Sequence, residues 1–348
     1  MSNEVRIVRW DDPLKQKFFD FAQCVHPKEQ HLKDRMQWFT FANPVVVPDT
    51  SLPGLAIVTA DSEVIGQFLI CPFEFQLRQK KHIGYFGYDF FVKEEYRTQG
   101  AGALLFVQGV RMYAPFVGVG LTHIVEKISK SAGIQTVGLL KKFIWVRNPV
   151  TLGSELLKQR SIKDLNGKKK PSSDPVLPQE VDIFGLKFQH SVSLPNDLPM
   201  SCGDEVLEPA RSREFLKWRF WDCPWAYSVY IHHDPSAPLW LVVRTVSYEN
   251  MNLLLIVDHR SPLVKPGSFE IILKAAKRIS EDGRLDGVVM ASTYAPMDEI
   301  LKREGFQVTG RPSSVIAYLP SDEFDVPVKA ISLTMADSDL DFNFPNAH

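Results

Sequence analysis

A chain of 348 residues, 45% of them hydrophobic, is long enough to fill two domain cores of ordinary size. Lysine and arginine number 40 against 41 aspartate and glutamate, a net charge of −1, and the one basic triplet, Lys168-Lys169-Lys170, sits in a polar stretch and reads as a solvated loop. That balance speaks against a nucleic-acid partner or a membrane-surface partner.

No early segment has the charged-then-apolar layout of a signal peptide, and no apolar run is long enough to cross a bilayer, so a cytoplasmic protein is expected. An amphipathic helical run leads to Trp38, with Pro44 six residues later. A hairpin pattern follows at 55–60 and 64–70, turning at Asp61-Ser62. Next come an apolar strand, 84–92, and a helix, 101–112. The half closes with a strand at 122–125, a helix ending in Leu140-Lys141-Lys142 and an aromatic strand at 143–146.

The same order then returns. A helical run carries Trp218 with Pro224 six residues on; strands at 226–232 and 239–246 flank Asp234-Pro235-Ser236; then come a strand at 252–257, a helix at 269–279 and a strand at 287–290. A helix ending in Leu301-Lys302-Arg303 and strands at 306–308 and 315–319 complete it. Residues 151–180, rich in lysine, serine and proline, read as a linker or exposed loop, and 321–348, acidic and aperiodic, as a surface tail. The expected organisation is two mixed α/β domains, 1–150 and 181–320, each a sheet with helices on its faces. Cys24, Cys71, Cys202 and Cys223 form no Cys-x-x-Cys pair and have no histidine at metal-ligand spacing, so reduced thiols are expected, with neither a disulfide scaffold nor a metal site.

Between the strand at 84–92 and the helix lies Arg97-Thr98-Gln99-Gly100-Ala101-Gly102-Ala103. Small residues there let an anion approach the backbone, and the N–H groups of a helix's first turn point at the negative charge. The segment resembles motif A of the GCN5-related N-acetyltransferase (GNAT) superfamily, Arg or Gln, two residues, Gly, one residue, then Gly or Ala, with Arg97, Gly100 and Gly102 in the fixed places and Val92 five residues before Arg97. The resemblance implies two tandem GNAT-like domains and an acyl-CoA site in the first. The loop would hold the diphosphate of coenzyme A, and the backbone N–H of Phe91 or Val92, where the fourth strand bulges, would be the oxyanion donor. The pantetheine would lie between that strand and 121–127, with Ser129 and Ser131 at the next helix start as further contacts. The second copy has Asp258-His259-Arg260-Ser261-Pro262 and no such motif, so one CoA site is expected.

Thioester aminolysis needs an uncharged amine, an oxyanion donor and a proton source for the thiolate. The glutamate that many family members carry on the fourth strand is replaced by Phe86, and their tyrosine acid by Leu139, Leu140 or Lys141. The remaining catalytic candidates are Asp89, Tyr85, Tyr88, Glu126 and His123. His123 ranks first because imidazole titrates near neutrality and strand alternation sets it on one face with Val125, Lys127 and Ser129. In the second half Arg219, Trp218, Asp258 and Arg260 are the substrate-binding candidates, arginine for a diphosphate and tryptophan for a base.

The layout is similar to bacterial enzymes that acylate nucleotide-linked amino sugars for lipopolysaccharide or capsule biosynthesis. That likeness implies an acyl-CoA-dependent N-acyltransferase, an acetyl or 3-hydroxybutanoyl donor and a dTDP-3-amino-3,6-dideoxyhexose acceptor. A tandem-GNAT transferase acting on a peptide or small-metabolite amine, and a non-catalytic CoA-binding sensor, are the alternatives. Monomer and homodimer are both open.

Overall fold

Successive rather than alternate buried residues mark the strands at 54–59 and 64–77 as covered on both faces. The computed structural model describes residues 5–9, 14–27, 32–45, 54–77, 80–149, 175–196, 198, 206–232, 239–248, 251–261, 267–320, 330–337 and 340–343. β1 (Val5–Arg9), β2 (Gly54–Thr59), β3 (Val64–Leu77) and β4 (Lys80–Val92) pair antiparallel in that order, and β5 (Phe116–Gly118) joins β4 in parallel.

Successive residues of β2 and β3 feed two separate cores. Ala56, Val58 and Leu69 pack with Phe18, Phe21 and Ala22 of α1 (Lys15–Val25) and with Phe39 of α2 (Leu32–Phe41). Leu55, Ile57, Phe68 and Ile70 pack with Leu105, Phe106 and Val110 on the helix after β4. Strand alternation therefore sets α1 and that later helix on opposite faces of the sheet. Gly109 is what allows the close approach on the second face, because a Cβ there would meet Phe68 Cδ1 at 2.4 Å.

After a four-residue turn of helix, α3 (Glu94–Arg97), come α4 (Ala101–Met112), β5, α5 (His123–Ser131) and β6 (Gln135–Val146). The edge hairpin β7 (Glu180–Ile183) and β8 (Leu186–His190) and the short β9 (Val206–Pro209) lead into the second copy of the order. Here β10 (Ser228–His232), β11 (Leu239–Tyr248) and β12 (Met251–Arg260) are followed by helix Ser268–Asp282, β13 (Gly287–Ser292), helix Ala295–Arg303 and β14 (Gln307–Tyr318). The duplication read from sequence is present at the level of single hydrogen bonds. The last helix of each copy ends at a left-handed glycine, Gly133 (φ 74°) and Gly305 (φ 82°). The same capping bonds recur, Ile134 N–H to Ser129 C=O and Phe306 N–H to Leu301 C=O, each 2.9 Å. Trp38 and Trp218 stack on one another, centroids 6.2 Å apart and 7° from parallel. Equivalent residues touch when they lie beside a two-fold axis.

The two copies do not form separate sheets. The strand order runs β1-β2-β3-β4-β5-β14-β6-β13-β12-β11-β10-β8-β7, so the last strand of each copy is exchanged: β14 pairs with β5, and β6 pairs with β13. One core, from Phe18 and Phe39 to Trp240 and Leu333, runs through both halves.

Three local expectations change. The strand expected at 122–125 is the first turn of α5, because Thr122 Oγ1 caps the Val125 N–H at 3.4 Å; the strand in question is β5, six residues earlier. The helix expected to end at Lys142 and the strand at 143–146 are one strand, β6, held by ladders to β14 and β13 on its two edges. The tail expected on the surface is in part internal: β15 (Ala330–Ile331) pairs with β9, and Leu333, Met335, Ala336, Leu340 and Asp341 are buried. Most of the expected linker, residues 151–174, and Cys202 lie outside the described residues.

Candidate active site

β4 ends where its Lys93 neighbour still donates to Ile65 C=O at 2.9 Å. Gly100 follows in the left-handed region (φ 77°) as N-cap of α4, with open space where a Cβ would stand. The first intrahelical bond is Leu104 N–H to Gly100 C=O, 3.0 Å, so the N–H groups of Ala101, Gly102 and Ala103 precede the ladder, and among the described residues no side chain caps the helix start. Thr98, Gln99 and Gly100 are exposed. This is the backbone geometry that the sequence motif calls for, a left-handed glycine ahead of an uncapped helix start. Arg97 is placed differently from expectation: Nε donates to Val92 C=O at 2.7 Å and the guanidinium lies 4.8 Å from the Phe91 ring centre. Lys93 pairs with Glu63 at 2.5 Å, which raises its pKa above the ordinary lysine range.

β4 and β5 pair only at Tyr85–Phe116 and Phe86–Val117 and part beyond that. Opposite β3, the register slips: Leu69 faces Tyr88 and Gln67 faces Phe91, so Asp89 and Phe90 bulge, with Asp89 at φ 46°. Since Lys93 N–H points to β3, alternation turns the N–H and C=O of Val92 to the other edge, into the gap left by β5. Arg97 takes that C=O. Of the two expected oxyanion donors, Val92 N–H is the one that faces the gap, and Phe91 is paired with Gln67.

Asp89 is almost fully buried and accepts hydrogen bonds from Gln67 Nε2 and from His26 Nε2, the latter at 3.0 Å. His26, the C-cap of α1, went unseen in the sequence, where it stands 63 residues from Asp89 with no motif around it. Tyr88 hydroxyl meets Thr40 Oγ1 at 2.5 Å. Tyr85 is buried against Tyr113, burial raises its hydroxyl pKa, and it lies seven residues, roughly 20 Å of strand, from Val92.

His123 and Glu126 do not share a strand face with the site. Both are on α5, on the α4 side of the sheet, where His123 is exposed and its Nδ1 is 3.6 Å from Glu126 Oε2. A hydrogen bond from Ser314 of β14, with help from His123, lowers the Glu126 pKa. Ser129 and Ser131 fall in the last turn of α5, not at a helix start; Ser129 Oγ donates to Val125 C=O at 2.8 Å and Ser131 is exposed.

In the second half the equivalent gap is filled by the chain itself. β12 and β13 pair only over Leu253–Leu255 and 287–289, after which Ala336 N–H donates to Val257 C=O at 3.0 Å and Thr293 binds Ile331 C=O and Leu333 N–H. The substrate-binding candidates are enclosed here. Asp258 forms a two-point pair with Arg211, which also holds Asp337 at 2.6 Å; Arg260 pairs with Glu208 at 2.6 Å. Arg219 is fully buried and its donors go to Ala336 C=O, Tyr227 hydroxyl and Asp341. Trp218 is buried in the central core. A diphosphate-binding role does not fit Arg219 or Arg260 so placed, nor base stacking Trp218.

His259 carries a pH dependence. Burial pushes its imidazole down to about 4, Asp258 opposing only in part, and its buried Nδ1 has no hydrogen-bond partner among the described residues. The unfolded chain binds this proton near 6.5 and the folded chain near 4, so stability is full above the first value and falls as pH drops toward the second. The expected loss is about 3 kcal/mol. His259→Phe, next to Phe269, should flatten urea-unfolding free energies between pH 7 and pH 4.5. Equal slopes in both proteins would assign the loss to another group.

No protein-family model matches the sequence, and no curated protein matches it. Solved structures do. A GCN5-related N-acetyltransferase from Anabaena variabilis ATCC 29413 superposes with a TM-score of 0.53 at 10% identity, over 91% of this chain and 73% of that one. Saccharomyces cerevisiae N-myristoyltransferase with bound myristoyl-CoA gives 0.52 at 10% identity, over 91% and 83%. An Enterococcus faecalis V583 protein described as a probable N-acyltransferase gives 0.51 at 9%, over 91% and 72%. The fold is that of the GNAT proteins, in tandem. In the GNAT frame β4, β5 and α4 carry the uncapped helix start and the gap, α1 and α2 cover the opposite face, and among the described residues the gap of the second copy is filled by its own chain while that of the first is not. Among the described residues no helix is long and apolar enough to cross a membrane, and no cluster of three or more His, Cys, Asp or Glu is arranged to hold a metal ion.

Proposed function

We propose that the protein is an acyl-CoA-dependent N-acyltransferase with one catalytic site, in its first half. One observation carries this: the β4–β5 gap has an anion cradle at the α4 N-terminus on one side and the outward Val92 N–H within it, whereas the matching gap in the second half is packed with residues 330–337. The diphosphate of CoA is held by the N–H groups of Ala101, Gly102 and Ala103, and the thioester lies at the bulge. An amine entering from the α1 face attacks the carbonyl carbon, the C–N bond forms, and Val92 N–H stabilises the oxyanion. The C–S bond then breaks and the thiolate is protonated.

For the acceptor we propose a nucleotide-linked amino sugar, a dTDP-3-amino-3,6-dideoxyhexose being the first to try, with acetyl or 3-hydroxybutanoyl as the acyl group and cytoplasmic synthesis of a surface polysaccharide as the setting. Its support is the likeness of the tandem layout to enzymes of that class, and the nucleotide must be bound by groups other than Arg219 and Arg260. Thiol release from acetyl-CoA and 3-hydroxybutanoyl-CoA should be followed with the nucleotide sugar and with a lysine peptide. Faster turnover on the peptide overturns the sugar assignment. CoA binding without turnover on any amine favours a sensor.

A further inference from the structure

We infer that His26 is the general base of this site and that Asp89 and Gln67 position it, a conclusion that rests on the acyltransferase reading. Three elements converge at the bulge: the C-terminus of α1, the start of β3 and the end of β4. Gln67, 1% exposed, donates Nε2 to Asp89 Oδ2, which leaves Asp89 Oδ1 for His26 Nε2 at 3.0 Å. Asp89 holds that orientation at a left-handed φ of 46°, a backbone state that a non-glycine residue keeps only when its surroundings fix it. The imidazole lies edge-on to Phe91, centroids 6.1 Å apart, one residue from the Val92 N–H, and its side chain stays 31% exposed where Asp89 is 5% exposed.

Its face of the sheet decides the role. Phe91 packs against the α1 core, whereas Val92 and α4 belong to the opposite core, so the imidazole stands across the sheet from the α4 N-terminus, on the α1 face by which the proposed mechanism brings in the amine. None of the candidates Tyr85, His123 and Glu126 is on that side. As the amine nitrogen bonds to the carbonyl carbon, its proton moves to the His26 imidazole. The carbonyl electron pair moves to oxygen and returns as the C–S bond breaks and the pair leaves on sulfur. The imidazolium then supplies the proton the thiolate needs. Asp89 and the C-terminal end of the α1 dipole both stabilise the transient imidazolium.

Bromoacetyl-CoA tests this without knowledge of the acceptor. The experiment uses a Cys24→Ser background, because that exposed thiol is two residues away. The imidazole nitrogen displaces bromide from the carbon next to the thioester, and peptide mass spectrometry should place the adduct on His26, suppressed by excess CoA and absent in Gly102→Asp. In parallel, His26→Ala should keep its CoA affinity and lose about 10²–10⁴-fold in turnover, with added imidazole restoring part of it; Asp89→Asn and Gln67→Leu should lose less, in kcat and not in KM. Imidazole rescue is a response that a merely structural residue does not give. CoA binding with no adduct on His26, or a CoA-protected adduct elsewhere, overturns the assignment to His26. Failure of the wild-type protein to bind CoA overturns the acyltransferase reading itself.

Discussion

Gly102→Asp is expected to raise the CoA dissociation constant at least ~100-fold, about 2.7 kcal/mol, while the fold stays intact. A Cβ at Gly102 meets Val92 Cγ2 at 3.6 Å and Phe90 Cζ at 3.9 Å, ordinary contacts that ask nothing to move. An aspartate in a helix's first turn also favours the helix by roughly 0.3–1 kcal/mol. Against that, a carboxylate about 4 Å from a phosphate oxygen costs on the order of 4 kcal/mol at the screening of a protein surface. Repulsion wins, and it acts only on the bound state. Gly100→Val is a poorer test, since a β-branched residue at φ 77° strains the loop by itself. Calorimetry with CoA, alongside a thermal melt, reads both quantities; unchanged affinity in well-folded Gly102→Asp would remove the cradle from the site.

Arg219→Ala is expected to cost about 3–5 kcal/mol of stability and to leave Asp341 buried with Tyr227 as its remaining side-chain partner. The side chain is fully enclosed, pairs with Asp341 at 2.7 Å and lies over the rings of Phe39, Phe220 and Tyr227, so it joins the first half, the second half and, in the tail, Ala336 and Asp341. A substrate-binding arginine behaves in the opposite way, raising the acceptor KM at constant stability. The urea midpoint should therefore fall sharply. A normal midpoint with a raised KM would return Arg219 to the acceptor site.

What the chain spells out locally, its sequence alone determined. Arg97-Thr98-Gln99-Gly100-Ala101-Gly102-Ala103 announces a strand-to-helix turn, because only small residues and a left-handed glycine allow that geometry. The duplication was legible for the same reason, since Trp38–Pro44 and Trp218–Pro224 and the apolar periodicities around them repeat in order. Periodicity failed at 122–146, where two leucines followed by two lysines fit a helix stripe as well as a strand. Ladders from β13 and β14, more than 140 residues away, decided for the strand. The exchange of β6 and β14, the burial of Arg219, Asp258 and Arg260, and the filling of the second gap by residues 330–337 belong wholly to the tertiary structure. So does the meeting of His26 with Asp89. Each depends on which distant edge or cavity remains to be satisfied once the two copies have folded together, and a charge pattern read along one segment carries no record of the partner that the other half supplies.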